Sequence, residues 1–214
     1  MSINIIYTDL AYNLITDQQI ESSYDYLKQT YENGDLKIVE HYSDRKGFQE
    51  LVQIGGLYYL RPNENLDDVI DRSMAQSKDW TFYFNRIENA KKDTLWNYQT
   101  IYKGELKEEG KKAFDVLRRV IAYCVFEPET RSYVAKVKKF WGDPVIFPTA
   151  IDSSSALTFY YEEETNMPYE VYCEYGLEYE YDYSIDEFQS RESIMAIFPW
   201  DQHSYYHNFE PMLP

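Results

Sequence analysis

Alternation of apolar and acidic residues in the C-terminal third of the chain constrains the fold more than any other feature. From Tyr169 to Tyr183 every odd-numbered position is apolar or aromatic, and the acidic residues occupy even-numbered positions: Glu170, Glu174, Glu178, Glu180 and Asp182. Successive side chains of a β-strand point to opposite sides, so a period of two predicts one apolar face and one acidic face. Because strands usually span about five or six residues, we expect Gly176 to mark a bulge, a bend or a break.

Negative charge is concentrated in the same region. Residues 151–214 contain 14 acidic residues and one basic residue, Arg191, whereas residues 1–150 contain 23 acidic and 20 basic residues. An acidic surface repels the phosphates of nucleic acids and anionic lipids, which argues against direct binding of either through that end. A basic protein is the expected partner, and the alternative is that the charge serves only solubility.

Length and composition indicate a globular protein. The chain has 214 residues, of which 44% are hydrophobic and 27% are charged, enough to bury one substantial core. We predict a single α+β domain over residues 1–214, with a mostly antiparallel sheet built from hairpins and about four helices packed on it. A weak subdivision near residues 150–155 stays open, because Ser153-Ser154-Ser155 is the nearest approach to a linker.

Helical spacing of apolar residues and capping signals predict the positions of these helices. The first begins at Thr16 or Asp17 and ends at Asn33-Gly34, and three more are expected at 63–77, 106–126 and 128–141. Aromatic and β-branched runs predict hairpins between residues 36 and 54 and between residues 80 and 102.

One short segment resembles a known kind of repeat. Tyr31-Glu32-Asn33-Gly34-Asp35-Leu36-Lys37 is similar to one unit of the Tyr/Asn/Gly hairpin repeats found in some bacterial antitoxin-like proteins, and the segment 102–107 follows part of the same pattern. The resemblance covers seven residues, and no function is transferred from it.

Motifs for catalysis are missing from the sequence. It has no nucleophile elbow, no phosphate-binding glycine loop and no Cys-x-x-Cys pair. Cys124 and Cys173 each lie in an apolar pattern, which predicts buried free thiols. Carboxylates on a solvated strand lack the burial that acid–base catalysis requires. The sequence therefore favours a protein without enzymatic activity, and it predicts no cofactor.

The weak candidates for a metal site are His203, His207 and Glu210. Two histidines four residues apart can share a helix face, and a nearby carboxylate could supply a third ligand. The alternative is a surface tail without metal, which the prolines and aromatic residues of this segment favour.

The leading hypothesis is a non-enzymatic inhibitor of the immunity or antitoxin kind. It would neutralise a basic partner, such as a toxic nuclease, through Glu170, Glu174, Glu178, Glu180 and Asp182. The alternatives are a metal-dependent enzyme or metal-binding protein centred on His203 and His207, and a scaffold or phage accessory protein. The N-terminus does not resemble a signal peptide, which predicts a cytoplasmic protein, and the oligomeric state stays open.

Overall fold

Strands dominate the fold. The computed structural model describes residues 2–44, 51–130, 132–141, 157–173 and 181–214. Within these ranges, twelve strands form one mixed sheet in which each strand lies beside those that precede and follow it in sequence. They are β1 (Ile3–Thr8), β2 (Asp25–Glu32), β3 (Asp35–Ser43), β4 (Val52–Tyr59), β5 (Trp80–Glu88), β6 (Thr94–Tyr102), β7 (Glu105–Phe114), β8 (Val120–Glu127), β9 (Ser132–Phe140), β10 (Leu157–Tyr161), β11 (Pro168–Cys173) and β12 (Tyr181–Ser184).

The predicted α+β class, with about four helices packed on the sheet, is wrong. The α-helices of the described residues are short: α1 (Asp17–Ser22), α2 (Leu66–Met74), α3 (Ile185–Ser190) and α4 (Glu192–Met195). Helix α2 lies within the predicted helix 63–77, but α1 accounts for only the start of the helix predicted to end at Asn33-Gly34. The sheet, rather than the helices, therefore determines the architecture.

Two predicted helices between Leu106 and Trp141 are strands β7, β8 and β9. The β-branched and aromatic run 120–126 favours a pleated strand, whereas the helix prediction assigns the basic residues near it to the polar face of a helix. A turn overlooked in the sequence separates β7 from β8. In it the Asp115 N–H donates to the Arg119 carbonyl at 3.0 Å, and Arg118 has a φ of 64°.

Two-residue turns connect β2 to β3 and β6 to β7. Asn33 and Gly34 have φ angles of 52° and 88°, and Lys103 and Gly104 have φ angles of 54° and 84°. Positive φ at both central residues defines a type I′ turn, whose twist matches that of the flanking strands. Asn33-Gly34 is therefore the turn of a hairpin and not the end of a helix.

Contacts within the chain define two compact units, residues 1–86 with 97–109 and residues 87–96 with 110–214. In the first unit, α2 connects β4 to the parallel strand β5. The Asn65 side chain caps α2 by accepting a hydrogen bond from the Asp68 N–H at 3.1 Å. One buried cluster of this unit contains Leu60, Val69, Trp80 and Phe82. The subdivision predicted near residues 150–155 lies outside the described residues.

Gly55 and Gly56 allow β4 to approach its neighbours closely. A Cβ on Gly56 would lie 2.3 Å from the Val39 carbonyl oxygen and 2.6 Å from Trp80 Cζ3. A Cβ on Gly55 would lie 2.3 Å from the Asp79 carbonyl oxygen. A side chain at either position would therefore force the backbone of the parallel strand pair or of β3 to move.

We expect Gly56→Ala to lower the free energy of unfolding by about 1–3 kcal/mol, because the added methyl group overpacks a closed space. Urea unfolding of the variant and the wild type measures the difference. Val52→Ala, on the same strand at an exposed position, is the control and should cost less. Equal stability of Gly56→Ala and the wild type would contradict the close approach.

The C-terminal segment, residues 185–214, covers one face of the sheet in the second unit. Phe159 on β10 has no exposed surface, and its ring centroid lies 4.8–5.8 Å from four rings of that segment: Phe188, Phe198, Trp200 and Tyr206. Phe209 and Met212 are also buried in this core. The surface tail expected for the segment that contains His203 and His207 is therefore wrong, because this segment is part of the core.

Candidate partner-binding face

Two of the five predicted partner-binding residues lie on adjacent strands. Glu170 on β11 is paired with Ser184 on β12, and Asp182 on β12 is paired with Tyr172 on β11. Residues opposite one another on neighbouring strands share a face, as do residues two apart on one strand. Glu170 and Asp182 therefore share a face at diagonal positions, where Asp182 is exposed and Glu170 is half-buried.

The other three predicted acidic residues, Glu174, Glu178 and Glu180, lie outside the described residues, as does Gly176. Their place on the acidic face and the break at Gly176 stay predictions.

Tyrosines share the face with the two carboxylates. Tyr160 on β10 is paired with Glu170, and Tyr172 is paired with Asp182. Both tyrosines are half-buried, so part of each side chain is accessible. Burial raises the pKa of Tyr160, and the charges of Asp182 and Glu170 add to the increase. We define Tyr160, Glu170, Tyr172 and Asp182 as the acidic face.

Odd-numbered residues of the alternating segment turn inward, as the pattern predicts. Val171 has no exposed surface, and Cys173 and Tyr183 are each 5% exposed. These positions contribute to the core that the C-terminal segment covers. The period-two interpretation is confirmed at these three residues.

Tyr169 is an exception, since it is 47% exposed. Tyr160 is paired with Glu170, but the next residue, Tyr161, is paired with Pro168. Tyr169 is thus the extra residue of a β-bulge, which locally changes the direction of the side chains. The alternation alone does not reveal this irregularity, because it depends on the pairing with β10.

Both cysteines are free and buried, which confirms the prediction from their apolar context. Burial raises the pKa of Cys124 and raises that of Cys173 to about 12. Since the thiolate is the nucleophilic form, neither thiol is activated at neutral pH.

The weak metal candidates are packed among aromatic rings. The His203 ring stacks on Phe198 with centroids 3.9 Å apart, and the His207 ring stacks on Trp200 at 4.4 Å. His207 Nε2 lies 2.9 Å from the Trp200 carbonyl oxygen, and burial lowers the pKa of His203. Glu210 is exposed. Across the described ranges, no group of three His, Cys, Asp or Glu side chains is arranged to hold a metal ion.

A buried lysine that the sequence analysis missed attaches the C-terminal segment to the sheet. Lys138 on β9 is 0% exposed, and its Nζ donates to the carbonyl oxygens of Tyr205 at 2.6 Å and Asn208 at 2.8 Å. Its Nζ also lies 3.6 Å from the centroid of the Tyr205 ring. Burial lowers the pKa of Lys138 to about 7. Because the Lys138 side chain has no exposed surface, these contacts indicate a structural role.

Lys136, two residues earlier on β9, has a similar role at the turn between β10 and β11. It is 8% exposed, and its Nζ donates to the Glu163 carbonyl and, at 2.7 Å, to Asn166 Oδ1. The sequence contains a signal for this burial: in a strand, Lys136, Lys138 and Phe140 are two residues apart and therefore lie on the same face. The sequence analysis missed it because it predicted a helix here, and residues two apart do not share a face of a helix.

Comparison with known proteins finds no protein-family model, curated protein or solved structure that matches the chain. None of the helices in the described ranges is long and apolar enough to cross a membrane. A function must therefore be argued from the residues themselves.

Proposed function

We propose that the chain is a non-enzymatic, cytoplasmic inhibitor of the immunity or antitoxin kind, which neutralises a basic protein through the acidic face. A toxic nuclease is the partner class that we favour. The observation that carries the proposal is the placement of Glu170 and Asp182 on neighbouring strands, beside the partly accessible Tyr160 and Tyr172.

The chemistry of the acidic face suits arginine and lysine side chains. A carboxylate can accept a bidentate hydrogen bond from a guanidinium group, and a tyrosine ring beside it can stack on the same cation. Tyrosine is also enriched among the residues that dominate binding energy in protein interfaces. Glu170 next to Tyr160, and Asp182 next to Tyr172, each provide this combination.

Charge supports the choice of a nuclease as the target. A nuclease binds phosphates with basic side chains, and carboxylates on the inhibitor can occupy the same positions. The 14 acidic residues against one basic residue in 151–214 also favour fast, salt-sensitive association with a basic protein.

Reversal of two charges tests the proposal. We expect Glu170→Lys combined with Asp182→Lys to weaken binding to a candidate basic nuclease toxin by about 100-fold or more, because the attraction between the acidic face and the basic partner becomes repulsion. Calorimetry at low and high salt measures the affinity, and a nuclease assay measures the inhibition. The wild-type affinity should fall as the salt concentration rises.

Glu192→Lys combined with Asp201→Lys is the matched control. Both residues are exposed on the C-terminal segment, away from the acidic face, and the change in net charge is the same. The control should keep most of the affinity. Equal inhibition by the acidic-face variant and the control would rule out the face, and failure of the wild type to bind such nucleases would rule out this partner class.

A further inference from the structure

Strand β1 forms one end of the sheet, and no described strand pairs with part of its outer edge. β2 is its one sheet neighbour among the described strands. The Ser2 carbonyl accepts a hydrogen bond from the Asn33 N–H on the β2 side, whereas the Tyr7 carbonyl accepts one from the Ile15 N–H on the outer side. The backbone groups of alternate residues in an antiparallel strand point to opposite sides. The N–H and C=O groups of Ile3 and Ile5 therefore point outward, as the Tyr7 carbonyl does.

Exposed apolar side chains accompany this open edge. Ile3 is 64% exposed and Ile5 is 45% exposed. The segment that follows β1 adds Leu10, Tyr12 and Leu14, which are 51%, 59% and 72% exposed. Monomeric proteins rarely leave such clusters of large apolar residues in water unless the surface binds something.

The edge is also nearly uncharged, although the protein is strongly acidic. Asp9 is the one ionisable acid or base between residues 2 and 16 other than tyrosine. Its carboxylate accepts hydrogen bonds from the Ala11 N–H, the Asn13 N–H and Asn13 Nδ2 at 2.8–2.9 Å. These bonds lower the pKa of Asp9, since they stabilise the ionised form. Proline and lysine, which commonly protect edge strands from pairing, do not occur in β1.

We propose that β1 pairs antiparallel with β1 of a second copy of the chain to form a twofold symmetric dimer. In this register Ile3 lies opposite Ile5 of the second copy and exchanges both backbone hydrogen bonds with it. Asn4 lies opposite Asn4 of the second copy as a pair without backbone bonds. The bridge between Thr8 and Leu14 covers the outer edge beyond this point and ends the pairing.

The lack of charge along β1 favours a second copy of the chain, rather than a foreign protein, as the partner that pairs with this edge. A chain with a net charge of −16 repels its own copies, so two copies can approach where charge is absent, as it is along β1. A basic partner would instead be attracted to the acidic residues elsewhere on the chain. The sequence of the open edge is also self-complementary about Asn4, as an isologous interface requires.

Salt dependence distinguishes this contact from binding at the acidic face. We expect sedimentation velocity to show a monomer–dimer equilibrium that shifts toward the dimer between about 50 and about 500 mM NaCl, because salt screens the repulsion between copies. Ile5→Lys should weaken the dimer at least about tenfold, because it brings a charge to the paired edge. Ile87→Lys, at a position 59% exposed on β5, is the control and should leave the equilibrium unchanged.

A cross-linking variant tests the register without relying on the lysine substitution. Cα atoms in an antiparallel pair without backbone bonds lie about 4.5 Å apart, within the range for a disulfide. Asn4→Cys should therefore form a disulfide-linked dimer under mild oxidation, and Ile3→Cys should form much less. The native cysteines are buried and should add little background.

Three results would overturn the proposal. They are a wild-type monomer at every concentration and salt level, open-ended aggregates in place of a dimer, and equal cross-linking of Asn4→Cys and Ile3→Cys. Thermal unfolding of each variant checks that it folds. None of these measurements involves the nuclease, so the dimer can fail while the proposed inhibition holds, and the reverse.

Discussion

Replacing Lys138 by alanine should lower the free energy of unfolding at pH 7 by about 3 kcal/mol or more. The substitution removes the donor to the Tyr205 and Asn208 carbonyls and the aliphatic stem that fills the space below them. Both carbonyls would be left without that partner, and a cavity would form beside Tyr205. Urea unfolding at pH 7 measures the loss, and exposed Lys91→Ala is the control.

The pH dependence of stability provides a second measurement at the same residue. Burial lowers the pKa of Lys138 from 10.5 to about 7. Between these values the unfolded chain binds a proton that the folded chain does not, so this group's contribution to stability rises with pH, by at most about 1.4 kcal/mol per pH unit.

Lys138→Met keeps most of the stem and removes the titration. Its loss of stability at pH 7 should be smaller than that of Lys138→Ala, since the packing largely remains. The difference in stability between the wild type and Lys138→Met should move in favour of the wild type from pH 7 to pH 9.5. A difference that stays constant over this range would show that Lys138 keeps an ordinary pKa in the folded chain.

Phe159→Ala should lower the free energy of unfolding by about 3–5 kcal/mol, the cost typical of removing a fully buried aromatic side chain. Phe159 lies where strand β10 meets the aromatic rings of the C-terminal segment. The cavity would loosen that segment as well, so amide hydrogen exchange between residues 198 and 209 should accelerate.

Tyr169→Ala is the control for Phe159→Ala, since Tyr169 is an aromatic residue of the same unit with 47% exposure. Its loss of stability should be clearly smaller. If both substitutions cost the same, or if exchange in the C-terminal segment is unchanged by Phe159→Ala, the segment does not pack on β10 as the structure has it.

Local signals in the sequence were sufficient for part of the fold. The helical spacing of apolar residues between 66 and 74, with Asp67 and Asp68 in the first turn, located helix α2, because both signals depend on residues within one or two turns. The pair Asn33-Gly34 is likewise a local signal, and it strongly favours a hairpin turn. The sequence analysis predicted a helix end there because it relied on the spacing of the apolar residues before the pair.

The helices predicted across residues 106–141 failed for a different reason. Over short lengths, apolar residues separated by charged ones fit the spacing of a helix face and that of a strand face about equally well. Pairing between strands decided the outcome, since β8 and β9 align Tyr123 with Val137 and Cys124 with Lys136. The pairing stabilises the extended form through residues of the neighbouring strand, which the pattern within one segment does not show.

The sequence by itself determined the concentration of acidic residues in the C-terminal third and the two-sided character of the segment from Tyr169. Both follow from composition and from the fixed alternation of side chains along a strand. The tertiary structure alone decided that Glu170 lies beside Tyr160 and Asp182 beside Tyr172, and that Lys138 lies buried under residues 205–208. These placements depend on strand register and on the docking of the C-terminal segment, which join residues far apart in the chain.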